Sequence, residues 1–220
     1  MNNIKRIPLY SAWEQECFNE IADLILSDLE KKNIALSGGS TPIPIYQRIG
    51  ALLRSLPDSK KKNIRFFLVD ERNVSMESPR SNSAMILKTI GSDFVIPYDP
   101  FAESPKNYTN KILQHLKSNG VLDLVVLGCG DDGHTASLFP NTSLLNEKSS
   151  AFLKNELPSG ELRYSMTLSL INNATRRVVF VNNHPEKLKY FTPMSVKERT
   201  HPIHQVLSIS NTKVFLHEAV

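Results

Sequence analysis

Apolar residues fall along this chain in two rhythms. Between residues 12 and 30, Trp13, Cys17, Phe18, Ile21, Leu24, Ile25 and Leu29 recur at three- and four-residue intervals, the period of one helix face. Elsewhere the apolar residues come in short unbroken runs: Ile34 to Leu36 after Asn33, Ile64 to Val69, Leu124 to Leu127, and the stretch from Arg177 to Val181. Such runs suit strands buried on both faces of a parallel sheet. Helical patterns stand between them. One should run from about Pro42 to Arg54, with Thr41 as its N-cap and Pro42 in its first turn. Another follows Ser81-Asn82-Ser83 and carries Met85, Ile86 and Leu87. A third opens at Ser104-Pro105, puts Tyr108, Ile112, Leu113 and Leu116 on one side, and ends at Gly120. Residues 91–104 and 141–162 read as irregular connections, the second a long one at the surface. Arg163 to Leu170 alternates like a strand, Glu186 to Phe191 reads as helical, and Val214 to Leu216 as a closing strand. Strands alternating with helices predict an α/β fold with a mostly parallel sheet flanked by helices. With no repeat or linker in view, the 220 residues predict a single domain over 1–220.

Three of the buried runs end in polar clusters, and ligands of open α/β sheets bind beyond the carboxyl ends of strands. The first cluster is Ser37-Gly38-Gly39-Ser40-Thr41-Pro42. Its glycines let backbone N–H groups approach a ligand, a helix opens straight after, and Ser37, Ser40 and Thr41 add hydroxyls. That is a phosphate cradle, although a plain strand-to-helix turn would use similar residues. It lacks the spacing and lysine of a P-loop. The second cluster is Asp70-Glu71-Arg72, in which the planar guanidinium of Arg72 suits a phosphate or an oxyanion. The third, Gly128 to His134, sets two acids and a histidine on a glycine turn. Gly128, Gly130 and Gly133 spell GxGxxG, but Asp131 and Asp132 fill the turn and would repel a pyrophosphate, so the dinucleotide reading fails. A carboxylate beside His134 can fix its tautomer and raise its basicity, as general-base catalysis needs.

Composition adds little to this picture. A net charge of +4 fits either a lysine-rich surface or an anionic substrate. The densest basic run, Lys60-Lys61-Lys62, has no interleaved aromatics, so no nucleic-acid partner is expected. Cys17 and Cys129 form no CxxC or Cys/His ligand pattern, and His201 and His204 lack a third ligand nearby, so no metal site is expected. Two cysteines so far apart in sequence fit a reducing compartment. Without a signal-peptide pattern or a membrane-length apolar run, the expected location is the cytoplasm.

The motifs LSGGSTP (36–42), VDER (69–72) with SN (81–82), and LGCGDDGHTASLFP (127–140) resemble those of the 6-phosphogluconolactonases. Later segments fit more loosely: Arg163 with TLSL (167–170), RRVVFV (176–181), Lys187 and HPIHQV (201–206). The resemblance implies a Rossmann-like domain related to glucosamine-6-phosphate deaminase. It implies hydrolysis of 6-phospho-D-glucono-1,5-lactone to 6-phosphogluconate without metal or organic cofactor, by a monomer or homodimer. On this reading His134 is the base, oriented by Asp132. Gly38, Gly39, Ser40 and Thr41 hold the phosphate with Arg163 and Lys187, and Asp70 and Asn82 read sugar hydroxyls. Arg72 faces either the phosphate or the carbonyl oxyanion. The related deaminases carry a glutamate in the place of Phe139 and a DEY triplet in the place of Asp70-Glu71-Arg72, so both positions favour the lactonase over the deaminase. A sugar-phosphate sensor without catalysis is the third reading.

Overall fold

A computed structural model of the chain describes residues 3–28, 30–116, 120–192 and 200–218. In chain order its elements are β1 (Ile4–Ile7), α1 (Tyr10–Leu26), β2 (Lys32–Leu36), α2 (Ile43–Ser55), α3 (Asp58–Lys61), β3 (Ile64–Leu68), β4 (Asp70–Arg72), α4 (Asn82–Ile90), β5 (Val95–Ile96) and α5 (Pro105–His115). They continue with β6 (Leu124–Leu127), β7 (Phe152–Glu156), β8 (Leu162–Met166), α6 (Leu168–Asn173), β9 (Arg176–Val181), α7 (Pro185–Leu188), α8 (Pro202–Leu207) and β10 (Thr212–His217).

Seven strands form one sheet in the order β1-β10-β9-β6-β2-β3-β5, and every neighbouring pair is parallel. The unbroken apolar runs are its interior: β2 and β6 are buried along their whole length. Helices cover the sheet through apolar stripes, as α1 does with Trp13, Cys17, Ile21, Leu24 and Ile25. Trp13 also donates from its indole nitrogen to the Phe215 carbonyl at 2.9 Å, tying α1 to β10. The chain leaves β2 toward β3 on one side, while β6 pairs with β2 on the other. The crevice between the β2 and β6 tips is therefore the switch point where such sheets bind ligands.

A second sheet departs from the sequence expectation. β4, β8 and β7 form a small antiparallel sheet in the order β4-β8-β7. The acidic triplet Asp70-Glu71-Arg72 is thus a strand, and residues 141–162 contain β7 and a 3₁₀ turn at Ser143–Asn146. The alternation from Arg163 to Leu170 breaks at Thr167, whose side chain accepts from the Leu170 N–H and caps α6. Leu168 and Leu170 are buried from a helix, not a strand. Ser104 caps α5 as expected and Ser81 is the cap of α4, but Thr41 does not cap α2, whose N-cap position is Pro42. The Gly38-Gly39 turn ends one residue later than the spacing of Thr41 and Pro42 suggests. α1 stops at Leu26 and α5 at His115, where Leu116 is the C-cap, five residues short of the expected Gly120; Leu29 and residues 117–119 lie outside the described residues.

Candidate active site

The loop after β6 folds back on itself. Gly130 N–H donates to the His134 carbonyl at 2.8 Å, and the Thr135 hydroxyl donates to the Gly128 carbonyl at 2.8 Å. His134 is thereby laid across Gly130, where a Cβ would stand 2.1 Å from the imidazole. Gly133 has φ +77 and backs onto Tyr190 and His201, so it combines a left-handed backbone with no room for a side chain. The Tyr190 hydroxyl donates to the Asp131 carbonyl at 3.0 Å, and Ile203 N–H to the Gly133 carbonyl at 3.1 Å. The C-terminal segment therefore braces the loop from behind. Nothing local in the sequence announces this role for Tyr190 or Ile203, because their partners lie about 60 and 70 residues away.

Asp132 accepts twice from His134, from its backbone N–H at 3.0 Å and from Nδ1 at 2.5 Å. Burial by itself would raise the Asp132 carboxyl. The backbone N–H and the imidazole of His134 outweigh it and hold the carboxyl below its ordinary value of 3.8. An ionised carboxylate only accepts, so Nδ1 carries the hydrogen and Nε2 is left with a lone pair. Phe139 stacks on the imidazole at 4.2 Å between ring centroids and 27° between planes. The ring is thus held by an ion at one edge and an aromatic face on one side.

A cleft of about 350 Å³ opens at the switch point, and it is lined by Gly38, Gly39, Ser40, Thr41, Asp70, Arg72, Asn82, His134, Arg163 and Lys187, among others. The structure therefore brings together every residue given a catalytic or substrate-binding role from the sequence except Asp132, which is hydrogen-bonded to His134 from outside the lining. Arg72 and Arg163 face each other across the antiparallel β4–β8 ladder. Lys187 lies 3.8 Å from Asp131, and Arg163 lies 3.1 Å from Glu161. The Nε atoms of Arg72 and Arg163 and the hydroxyl of Ser37 are buried without a hydrogen-bond partner. Buried donors are nearly always satisfied, so three orphans around one cleft call for an acceptor-rich ligand.

Other residues serve the frame. Gly38 is a glycine for packing: a Cβ there would meet Asn82 Oδ1 at 1.8 Å. Asn82 spends an amide hydrogen on the Asp70 carbonyl at 2.9 Å, and Asp70 accepts from the Ser137 hydroxyl at 2.7 Å. These two side chains join the cradle, the small sheet and the histidine loop as well as lining the cleft. The Cys129 thiol also lines the cleft, but burial pushes it up to about 12, against the pull of Lys187, so it stays protonated and is no nucleophile at neutral pH. Among the described residues no group of three His, Cys, Asp or Glu side chains could hold a metal ion, His201 and His204 included.

Residues 9–215 match the family model described as glucosamine-6-phosphate isomerases/6-phosphogluconolactonase. A probable 6-phosphogluconolactonase of Dictyostelium discoideum is 32% identical over 94% of both chains. A 6-phosphogluconolactonase of Nostoc sp. is 38% identical over 78% of this chain and 79% of its own. The solved structure of 6-phosphogluconolactonase from Trypanosoma brucei shares the fold with a TM-score of 0.84 at 23% identity, covering 99% of this chain and 96% of that one. The chain belongs to the family of glucosamine-6-phosphate isomerases and 6-phosphogluconolactonases.

Proposed function

We propose that this protein hydrolyses 6-phospho-D-glucono-1,5-lactone to 6-phosphogluconate. The observation that carries the reading is one cleft holding an Asp132-bound imidazole beside Arg72, Arg163 and Lys187. Nε2 of His134 takes a proton from water as the water oxygen bonds to the lactone carbonyl carbon. The carbonyl oxygen gains the negative charge. When the carbon–oxygen ring bond breaks, the imidazolium returns its proton to the departing ring oxygen. Asp132 stabilises the imidazolium while it lasts, and such acid–base help supplies about 10²–10⁴-fold. The phosphate lies over Gly38, Gly39, Ser40 and Thr41, with Arg163 and Lys187 as its cations. Arg72 donates to an anionic oxygen of the same ligand. Asp70 and Asn82 meet the sugar hydroxyls with the acceptor capacity that the frame leaves them.

The family also contains deaminases, and Phe139 favours hydrolysis. Where those relatives carry a glutamate, this chain stacks an uncharged ring on His134. The test is a pair of assays on one preparation. Acid released from freshly made lactone is followed in the first, and ammonia released from glucosamine 6-phosphate in the second. Hydrolysis of the lactone alone is expected. Ammonia release without an effect on the lactone would reverse the assignment, and binding without turnover would make the protein a sensor.

A further inference from the structure

Glu71 is the most completely enclosed carboxylate near the cleft, fully buried although it sits in a strand of charged residues. Its partners are neutral. One oxygen accepts from Arg72 N–H at 2.7 Å and Asn82 N–H at 2.9 Å; the other accepts from Ser83 N–H at 2.7 Å and the Ser81 hydroxyl at 3.1 Å. Burial leaves the carboxyl above its ordinary range even against the three N–H groups. A buried charge held this way is costly, so its position asks for a reason.

The reason lies in what the four donors flank. Residues 73–80 leave the end of β4 and return at the start of α4. Glu71 grips both ends of that excursion. Arg72 is fixed twice by this arrangement: its backbone N–H bonds Glu71 directly, and its guanidinium donates to the Arg80 carbonyl at 2.7 Å. Arg80 immediately precedes the three residues that Glu71 holds. We infer that Glu71 is the positioning residue of Arg72, holding its guanidinium at the wall of the cleft that Arg72 lines, from a site that no ligand can touch. This rests on the ligand proposed above, although the geometry concerns any anion in the cleft.

Glu71→Gln is a sharp probe because each oxygen faces two donors. Whichever oxygen becomes NH₂, it meets at least one backbone N–H that cannot turn away: Arg72 and Asn82 N–H on one side, Ser83 N–H on the other, where only the Ser81 hydroxyl can rotate to accept. The experiment is a pair of double-mutant cycles on kcat and KM with the lactone, Glu71→Gln with Arg72→Ala and Glu71→Gln with Lys187→Ala. Glu71→Gln alone should lower kcat/KM about tenfold, the size of a lost hydrogen bond to a charged group. In the Arg72→Ala background the same change should cost less than about threefold; in the Lys187→Ala background it should still cost about tenfold. An equal loss in both backgrounds, or melting-temperature loss with unchanged kcat/KM, would make Glu71 a purely structural group and overturn the inference. Should Glu71→Gln fail to fold, Glu71→Asp, which keeps the charge but withdraws it by one methylene, enters the same cycles. Wild-type protein inert toward the lactone would refute the hydrolase reading alone. The cycles, measured as Kd for 6-phosphogluconate by calorimetry, then decide Glu71 by the same pattern of coupling.

Discussion

Gly130→Ala is the most economical test of the catalytic geometry, because it adds one methyl and no charge. The new Cβ would lie 2.1 Å from Cε1 and 2.2 Å from Nδ1 of His134. Ordinary carbon contacts begin near 3.5 Å, so the imidazole must retreat by about 1.4 Å. The Nδ1 bond to Asp132, now 2.5 Å, cannot survive a displacement of that size away from the loop. A misplacement of about 1 Å costs about 10²-fold in rate, and loss of the oriented base brings the total toward about 10³-fold. Stability should change little, since His134 is only half-buried and can swing outward. The readouts are kcat for the lactone, Kd for 6-phosphogluconate by calorimetry, and the melting curve. The first should collapse while the other two hold, because the phosphate cradle and the cations stand on other loops. Gly128→Ala is the matched control: it sits two residues earlier in the same turn, and a Cβ there meets nothing within 4 Å. A Gly130→Ala enzyme within about threefold of wild-type kcat, or a Gly128→Ala enzyme equally impaired, would refute the reasoning.

His134→Ala should remove most lactonase activity and leave the far-ultraviolet circular dichroism unchanged; near wild-type turnover would dismiss His134 as the base. Arg163→Ala should raise KM by at least about tenfold with little change in kcat, and a KM that does not move would take Arg163 out of the phosphate site. Asp132 gives a pH prediction. Its carboxyl is held below 3.8 in the folded protein, so its ionised form favours folding: that stabilisation is complete above 3.8 and is lost as pH falls through the lower folded value. In urea melts, wild type should therefore exceed Asp132→Asn at neutral pH, and the gap should close below the ordinary carboxylate range. A gap that persists below the ordinary carboxylate range would contradict the assigned hydrogen bond to an ionised Asp132.

The site was more legible in the sequence than the sheet that shapes half of it. SGGSTP and GCGDDGH follow apolar runs directly, and a glycine turn after a buried strand carries its meaning within a few residues. The cradle and His134 could therefore be placed by local pattern. The small sheet could not. β4 is three charged residues whose burial comes from pairing with β8, some 90 residues later. The residues of β7, FLKNE, alternate too briefly to stand out from a surface connection. At Thr167 the pattern misleads, since Leu168 and Leu170 continue the alternation of Tyr164 and Met166 while the backbone has already turned into a helix. Glu71 shows the same limit at one residue. Between Asp70 and Arg72 it looks like one more surface charge, and only the return of the chain at Ser81 to Ser83 encloses it.

The edge of the large sheet carries a consequence for how the protein assembles. Among the described residues β1 pairs only with β10, joining Ile4 to Val214 and Ile7 to His217. A strand at residues 4–7 thus waits for one at residues 214–217, and a contact spanning so much of the chain is slow to close. The single tryptophan sits at that seam, buried, with its indole bonded to the Phe215 carbonyl. Its fluorescence is therefore a clock for the arrival of β10, and it can be read separately from the moment when the catalytic loops, built on the central strands, become able to turn over substrate.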